Sequence, residues 1–404
     1  MTISLKAIVS LTTEAWRLAG VKAPGLLWRY IELSLFVKKT AKRTIQTTEM
    51  KLNTSKEGIE NKARRGDLII PVYNNFKDVK NLLRQIDQSD LMAEQVIVVN
   101  DASTDEKILP LLRAFVQAAE NRLLINNENN LGFVGSVNRG IDKSNNDVII
   151  LNTDIVLPDT GLSRLFNRLW QDPDIATVTP FTNAGYLVGF PHLTQINPMP
   201  WQATVEDIDR CFRQFFPLAA IDVPSGVGFC MAINRRCLDT VSGLDDVYGP
   251  GYGEETDFCR RAEKAGFRNV IAPDIFVYHR NAGSFGCLNP QNLKRKNALR
   301  ILQSHPEYQK KLSDFFAAGK ADLVSFLALI LLCEHLSGDA FKLRLADDDT
   351  VSDPAKTPIL NINSTQSSIT ATLLYRDEKY QKNFVDMDCL MSAIDLIRTL
   401  RPVD

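Results

Sequence analysis

The feature that most constrains the fold is an alternation of short apolar runs with amphipathic segments, which begins at Asp67. The apolar runs are rich in β-branched residues and comprise Leu68–Ile70, Val96–Val99, Leu123–Ile125 and Val148–Leu151. Helical periodicity is found in the segments between them, Phe76–Gln88, Ile108–Ala119 and Val134–Lys143. This βαβα order predicts a parallel sheet with helices on both faces. Later runs would extend it into a mixed sheet, at Ala176–Pro180, Phe229–Asn234 and Phe276–His279.

The chain of 404 residues is long enough for one large domain with additions at both ends. We predict a helical N-terminal extension and linker over residues 1–66, an α/β domain over residues 67–286, and a mainly helical C-terminal region over residues 287–404. Residues 26–43 combine helically spaced apolar residues with lysines and an arginine. They indicate a helix packed on the domain, which we favour, or a helix in peripheral contact with a membrane.

Composition restricts the partners and the compartment. The net charge of −1 gives no electrostatic case for a nucleic-acid partner. The seven cysteines are odd in number and include no CxxC pair, which favours a reducing cytosol over a disulfide framework or a zinc site. No secretory signal is evident. The apolar run Leu323–Cys333 is about half of the ~20 residues that span a bilayer, so we predict a buried helix.

Polar side chains follow three of the predicted parallel strands. These segments are Pro71–Asn75, Asn100–Asp105 and Asn152–Asp154. Ligands of open α/β sheets bind outside the carboxyl ends of the strands, so we expect these groups to converge. A dinucleotide site would need glycines in the first turn, where the sequence has none, and this argues against a dehydrogenase.

Two later segments carry further candidate groups. A glycine-rich loop, Gly249–Gly253, leads into a predicted helix that begins with Glu254, Glu255 and Asp257. Neighbouring helical residues point about 100° apart, so we predict that the two glutamates do not face the same point. His279 ends a predicted strand and is either a structural residue or a ligand.

Several of these motifs, in this order, resemble family 2 glycosyltransferases of the GT-A fold, in a rhamnosyltransferase-like bacterial branch. The motifs are Pro71–Asn74, Asp101, Asn129–Phe133, Asn152–Asp154, Gly251–Phe258 and Val277–His279. The resemblance covers residues 67–286. It implies a Rossmann-like mixed sheet flanked by helices, with helical N- and C-terminal extensions.

The resemblance also implies a nucleotide site and a metal site. Asp101 would recognise the nucleotide base, Tyr73 would stack near it, and Pro71 and Asn152 would lie beside the nucleotide; Asp101 could instead cap a helix. Asp154 would be the retained acid of a DxD-type motif and would bind Mn²⁺ or Mg²⁺, although Asn152 replaces the first acid.

His279 would help to hold that metal or the diphosphate. The resemblance places the general base at Glu255, where the family usually has aspartate, and Glu254 or Asp257 would support the base or the acceptor. Helix-dipole preference alone would also explain some of these three acids.

The predicted function is therefore a metal-assisted, inverting transfer of a hexose. The donor would be linked to UDP, dTDP or GDP, and the acceptor would be a glycan or a lipid-linked hydroxyl. The resemblance implies bacterial surface glycan synthesis in the cytoplasm, at the inner face of a membrane. Two alternatives stay open: a non-catalytic scaffold subunit that keeps the fold, and, as the weaker one, a sugar nucleotidyltransferase.

Overall fold

A computed structural model describes residues 66–281, 290–345, 354–364, 369–384 and 387–400, apart from positions 90, 92 and 217. Residues 1–65 lie outside the described residues. The predicted N-terminal helical extension and the 26–43 membrane-contact segment therefore stay predictions.

The first half of the α/β domain alternates strands and helices as the apolar runs predict. Its elements are β1 (Gly66–Val72), α1 (Phe76–Asp87), β2 (Val96–Asn100), α2 (Ile108–Gln117), β3 (Arg122–Asn126), α3 (Gly132–Ile141) and β4 (Asp147–Leu151). The strands are continuous apolar runs because both faces of the sheet are covered by helices.

The second half has shorter and more varied elements. They are β5 (Ile155–Val156), α4 (Gly161–Trp170), β6 (Ile175–Phe181), α5 (Val205–Arg213), β7 (Ile221–Asp222), β8 (Cys230–Ile233), α6 (Arg235–Val241), α7 (Glu254–Lys264), β9 (Arg268–Phe276) and β10 (Tyr278–His279). Single turns of 3₁₀ helix occur at Pro200–Gln202 and Asp246–Tyr248.

The central sheet has eight strands in the order β3-β2-β1-β4-β8-β6-β9-β7. Strands β1 to β4 are parallel, β8 is antiparallel to both β4 and β6, and β9 is parallel to β6. The predicted α/β architecture, a mixed sheet flanked by helices, is confirmed.

One strand prediction is wrong. The run Phe276–His279 is not a single strand, because β9 ends at Phe276 and already begins at Arg268. Tyr278 and His279 instead pair antiparallel with Val156 and Ile155 in a separate two-stranded sheet. This second pairing brings His279 close to the end of β4.

Alternate strand residues supply two hydrophobic clusters on opposite faces of the sheet. Leu68 and Ile70 belong to the larger cluster, with α1, α2, α4 and α5, whereas Ile69 belongs to the smaller one, with α3, α6 and α7. The site described below lies at the strand ends between these two layers.

The C-terminal region contains four helices, in a part of the chain predicted to be mainly helical, and a four-stranded sheet that the sequence analysis does not predict. Its elements are α8 (Pro290–Ser304), α9 (Tyr308–Ala318), α10 (Lys320–Ser337), β11 (Lys342–Leu345), β12 (Ile359–Ser364), β13 (Ile369–Tyr375), β14 (Glu378–Phe384) and α11 (Met387–Leu400). The apolar residues of α10, β12, β13 and α11 join the larger cluster of the α/β domain. Trp201 Nε1 donates to the Tyr375 carbonyl at 3.1 Å, across the predicted boundary at residue 286.

One helical stretch in the described residues, Tyr308–Ser337, is long and apolar enough to cross a membrane by length and composition. Of its most apolar window, 67% is buried inside the protein. The Leu323–Cys333 segment, predicted to be a buried helix, is buried throughout and packs against α5 and β9.

Candidate active site

A cavity of about 310 Å³ opens at the carboxyl ends of β1 and β4. The polar groups on its wall come from three places: the loops after these strands, the start of α7, and β10. They include Tyr73, Asn75, Asn152, Asp154, Glu254, Glu255, His279 and Asn281. The cavity therefore lies at the strand ends, where the sequence predicts the site, but not every predicted site residue is on its wall.

The loop after β1 presents Tyr73 to the cavity and is hydrogen-bonded to the loop after β2. Asn74 has a positive φ of 56°, and its side-chain oxygen accepts from the Thr104 and Asp105 amides at 2.8 and 2.9 Å. The predicted placement of Tyr73 at the site agrees with this geometry. Pro71 is buried within β1 and is not on the cavity wall.

Asp101 has a different position from the one predicted. Its side chain is fully buried and is not on the cavity wall. Oδ1 accepts from Asn127 Nδ2 and the Leu131 amide, both at 2.7 Å, and Oδ2 accepts from the Gly132 amide at 2.9 Å. Its oxygens thus bind the loop before α3, so the carboxylate positions that loop and does not face a nucleotide base.

That loop in turn determines where the glycine-rich segment lies. Gly132 has a φ of 75°, and a Cβ at this position would lie 2.7 Å from Pro250 Cα. Only glycine fits so close a contact in this conformation. The N-terminal turn of α3 is therefore packed directly against the loop that leads into α7.

Asn152 and Asp154, after β4, both reach the cavity as predicted. The Asn152 amide donates to the Phe229 carbonyl at 2.8 Å, and its Oδ1 is buried without a hydrogen-bond partner among the described residues. Asp154 Oδ1 lies 3.3 Å from His279 Nε2, and both side chains are 12% exposed. An orphaned oxygen, a carboxylate and an imidazole nitrogen are thus gathered at one end of β4.

His279 is fixed in one orientation. Its ring stacks on Phe229 with 5.1 Å between centroids, and its backbone amide donates to Asn183 Oδ1 at 2.8 Å. Nδ1 lies 3.2 Å from the Ala184 carbonyl, which accepts but cannot donate. The Ala184 carbonyl thus orients the ring through Nδ1, and Nε2 is directed toward Asp154, an arrangement typical of a histidine ligand.

These groups fit a hard divalent cation that also takes ligands from a bound substrate. Mn²⁺ and Mg²⁺ prefer carboxylate and carbonyl oxygens and accept imidazole, and the buried, unpartnered Asn152 Oδ1 is such an oxygen. The described residues include no group of three or more His, Cys, Asp or Glu side chains that could hold a metal alone. Asp154 and His279 would form an incomplete site, which a diphosphate could complete.

The glycine-rich loop directs both glutamates of α7 into the cavity. Gly251 and Gly253 have φ values of 143° and 111°, and Gly253 directly precedes α7. Glu254 and Glu255 both line the cavity, although neighbouring helical positions point about 100° apart. In the first helical turn, long side chains from adjacent positions reach the same space.

The two glutamates lie side by side at the start of α7. Burial, and then the neighbouring Glu255 carboxylate, raise the pKa of Glu254 well above its usual value. Glu254 therefore holds a proton more readily than an exposed glutamate does. One oxygen of each side chain is buried without a partner among the described residues.

Asp257, the third predicted catalytic acid, lies on the other side of α7 and is not on the cavity wall. Its Oδ1 lies 2.8 Å from His305 Nε2, and its Oδ2 accepts from Arg261 Nε at 2.7 Å. The Tyr248 hydroxyl also donates to Oδ1, at 3.4 Å. These partners give Asp257 a structural place, because its oxygens are occupied by core contacts.

The C-terminal helices support this part of the site, which the sequence analysis misses. Asn297 of α8 donates to the carbonyls of Tyr248 and Gly251 at 2.8 and 3.0 Å. Tyr308 of α9 is hydrogen-bonded to Thr256 of α7. The residues after 286 thus hold the glycine-rich loop and α7, and no local motif in the sequence reports these long-range contacts.

Residues 67–241 match the family model described as Glycosyl transferase family 2. The matched span includes Tyr73, Asn152 and Asp154, and it ends before the glutamate pair and His279. The match supports the predicted glycosyltransferase and the GT-A type of domain, and it does not test the rhamnosyltransferase-like branch. A comparison with curated proteins finds no match.

Three solved structures show a weak likeness to this chain. GalNAc-T7 with UDP, GalNAc and Mn²⁺ gives a TM-score of 0.47 at 14% identity, over 61% of this chain and 50% of that one. The mannosyltransferase PcManGT from Pyrobaculum calidifontis, in complex with GDP-Man and Mn²⁺, gives 0.45 at 16% identity, over 74% and 85%. S. aureus TarS 1–349 in complex with UDP-GlcNAc gives 0.44 at 14% identity, over 67% and 81%. The chain thus spans half of the first of these structures, and TM-scores this low assign neither a donor nor a function.

Proposed function

We propose that this chain is an inverting glycosyltransferase that moves a hexose from a nucleoside diphosphate donor to an acceptor hydroxyl. The observation that carries the proposal is the meeting of two groups in one cavity. The Asp154–His279 pair, suited to a diphosphate with its cation, opens into the same space as the Glu254–Glu255 pair, suited to proton transfer. The family match over residues 67–241 supports the same reaction class.

Glu255 is the general base of this proposal. As the acceptor oxygen attacks the anomeric carbon, its proton passes to the Glu255 carboxylate, and the bond between that carbon and the diphosphate breaks with its electron pair on the departing oxygen. Attack from the face opposite the leaving group inverts the anomeric centre. Burial and the Glu255 carboxylate raise the pKa of Glu254, so a proton on Glu254 would avoid two adjacent like charges, and Glu254 supports the base from the neighbouring position.

The donor is held by groups at the strand ends. Tyr73 offers a ring face to the nucleotide, and Asn75 and Asn281 offer amide groups on the cavity wall. Asp154 and His279, with Asn152 Oδ1, would hold Mn²⁺ or Mg²⁺, which offsets the negative charge of the departing diphosphate when it is bound. Asp101 acts at a distance, by fixing the loop before α3.

The finer parts of the proposal rest on the resemblance of the motifs to rhamnosyltransferase-like bacterial enzymes. They are a UDP-, dTDP- or GDP-linked donor, a glycan or lipid-linked acceptor, and synthesis of a bacterial surface glycan on the cytoplasmic side of a membrane. Peripheral membrane contact through residues 26–43 belongs to the same proposal.

Turnover by a Glu255→Gln variant tests the reaction directly. Release of UDP, GDP or dTDP from the corresponding sugar nucleotides is measured with simple methyl glycosides as acceptors. We expect kcat to fall by about 10²–10⁴-fold, the usual contribution of a general base, with nucleotide binding retained. The exposed Glu206, absent from the cavity wall, provides the matched control Glu206→Gln, which should retain full turnover. Near-normal turnover by Glu255→Gln would refute the assignment of the base.

A wild-type protein that binds nucleotide but turns over no donor would favour the scaffold alternative. Asn152 and Glu255 stand where the family motifs usually have aspartate, and these two differences are the reason for the scaffold alternative.

A further inference from the structure

An exposed aromatic pair lies at the rim of the cavity. Tyr186, in the segment after β6, lines the cavity and yet is 52% exposed. Its ring meets Phe316 edge-on, with 6.2 Å between centroids and an interplanar angle of 76°. Phe316 is itself 38% exposed. Single exposed aromatic residues are common on protein surfaces and need no explanation. Two paired rings at the rim of a cavity form an apolar patch, and such patches mark binding sites.

The pair is built from both parts of the chain. Phe316 belongs to α9 in the C-terminal region, and it also contacts Phe315 at 5.4 Å between centroids and 69° between planes. An edge-to-face contact is the preferred geometry of two rings, because the positive edge of one meets the negative face of the other. Phe316 therefore fixes the orientation of the Tyr186 ring from one side.

The aromatic pair shares the cavity with the proposed base, since Tyr186 and Glu255 both line its wall. A second aromatic residue, Tyr252, lines the cavity just before the glutamate pair, and the Lys294 ammonium group lies 4.5 Å from its ring centroid. The cavity that an acceptor hydroxyl must enter to reach Glu255 is thus lined by two tyrosines.

A pyranose ring is the ligand that such a surface recognises. Its axial C–H groups form an apolar face that packs on an aromatic ring, while its hydroxyl groups stay in water or reach the polar wall. A nucleotide base could also stack on a ring, but Tyr73, at the strand ends beside Asn75, already offers a face for that purpose. The pairing with α9 and the place on the same cavity wall as Glu255 favour the acceptor over the donor.

We propose that Tyr186 and Phe316 form the acceptor subsite, in which the sugar ring that carries the accepting hydroxyl stacks on Tyr186. The proposal rests on the glycosyltransferase function above and deepens it, since it assigns a saccharide, and not a bare lipid or a protein hydroxyl, to the acceptor position. Tyr186 contacts the sugar, and Phe316 is a positioning residue that acts through Tyr186.

Saccharide binding, measured without turnover, tests the subsite independently of the reaction. Saturation-transfer NMR is recorded with the methyl glycosides of glucose, galactose, mannose, rhamnose and N-acetylglucosamine on the wild type and on Glu255→Gln. We expect at least one glycoside to bind both proteins. Tyr186→Ala should weaken that binding about tenfold, Phe316→Ala by a smaller factor, and Tyr186→Phe should restore it. Phe216→Ala, which removes a 51% exposed ring away from the cavity wall, is the matched control.

Turnover then separates the two proposals. With an active donor, Tyr186→Ala should raise the acceptor KM about tenfold and leave the donor KM unchanged, a split that a merely structural role would not produce. Unchanged binding in Tyr186→Ala, or a wild type that binds none of the glycosides, would overturn the subsite. Saccharide binding without turnover would support the subsite and count against the catalytic proposal alone.

Discussion

The two faces of α7 carry carboxyl groups with opposite surroundings. On the cavity face, Glu254 and Glu255 lie side by side, and each keeps one oxygen without a partner among the described residues. On the core face, Asp257 has Arg261, His305 and Tyr248 around its two oxygens. Within a single helical turn, poorly satisfied acids are thus kept where a substrate can reach them, and a fully satisfied acid is kept where packing needs it.

Two aspartates at strand ends repeat this contrast. Asp101, after β2, is buried and accepts three hydrogen bonds from the loop before α3. Asp154, after β4, lies on the cavity wall beside His279. The comparison shows that a motif places a carboxylate at the correct edge of the sheet, while the surrounding loops decide whether its side chain lies in the core or on the cavity wall.

The largest expected difference between the two faces of α7 is in how a substitution affects turnover and the free energy of unfolding. Glu255→Gln should lose turnover with little change in the free energy of unfolding, whereas Asp257→Ala should lower that free energy by about 3 kcal/mol, because it leaves buried His305 without its carboxylate and removes one partner of the partly exposed Arg261. Chemical denaturation of both variants measures the difference. Asp172→Ala removes an ion pair that is 37% and 42% exposed, and as a control it should cost less than about 1 kcal/mol. Equal stability of the two aspartate variants would break the comparison.

A smaller effect is expected in the pH dependence of stability. Because the folded pKa of Glu254 is raised, its contribution to stability is complete below the unfolded value of 4.5 and is lost as the pH rises through the folded value. The glutamine side chain of Glu254→Gln does not titrate, so it makes no pH-dependent contribution to stability. The melting temperature of Glu254→Gln, relative to the wild type, should therefore increase as the pH rises above 4.5. A difference that stays constant with pH would show that the pKa of Glu254 is not raised; the more exposed Glu206 provides the control variant Glu206→Gln.

Much of the fold follows from local sequence patterns. The runs that become β1, β2, β4, β6 and β8 are apolar because both sheet faces are covered, and this leaves a strong signal in single segments. The four-stranded C-terminal sheet gives no such signal. Its strand β14 is mostly polar and charged, with only Tyr380 and Phe384 as aromatic residues, so no strand pattern is visible until its partner strands are known.

The site divides in the same way. Tyr73, Asn152 and Asp154 were predictable because each follows a recognisable strand, and the ends of neighbouring parallel strands must meet. The burial of Asp257 depends on His305, 48 residues later, and that of Asp101 on a loop that is separate in sequence. Such contacts have no fixed spacing, and therefore no local pattern could have assigned these two carboxylates.

The central claim is that the cavity binds a nucleoside diphosphate together with a divalent cation at Asp154. Thermal stabilisation of the wild type and Asp154→Ala by UDP, GDP and dTDP, each with and without Mn²⁺, tests it most directly. Ligand at about 100 times its dissociation constant should add about 2.7 kcal/mol to the free energy of unfolding. We expect one nucleotide to stabilise the wild type, Mn²⁺ to increase this effect, and the increase to disappear in Asp154→Ala. No stabilisation by any nucleotide, or a Mn²⁺ effect that persists in Asp154→Ala, would contradict the claim.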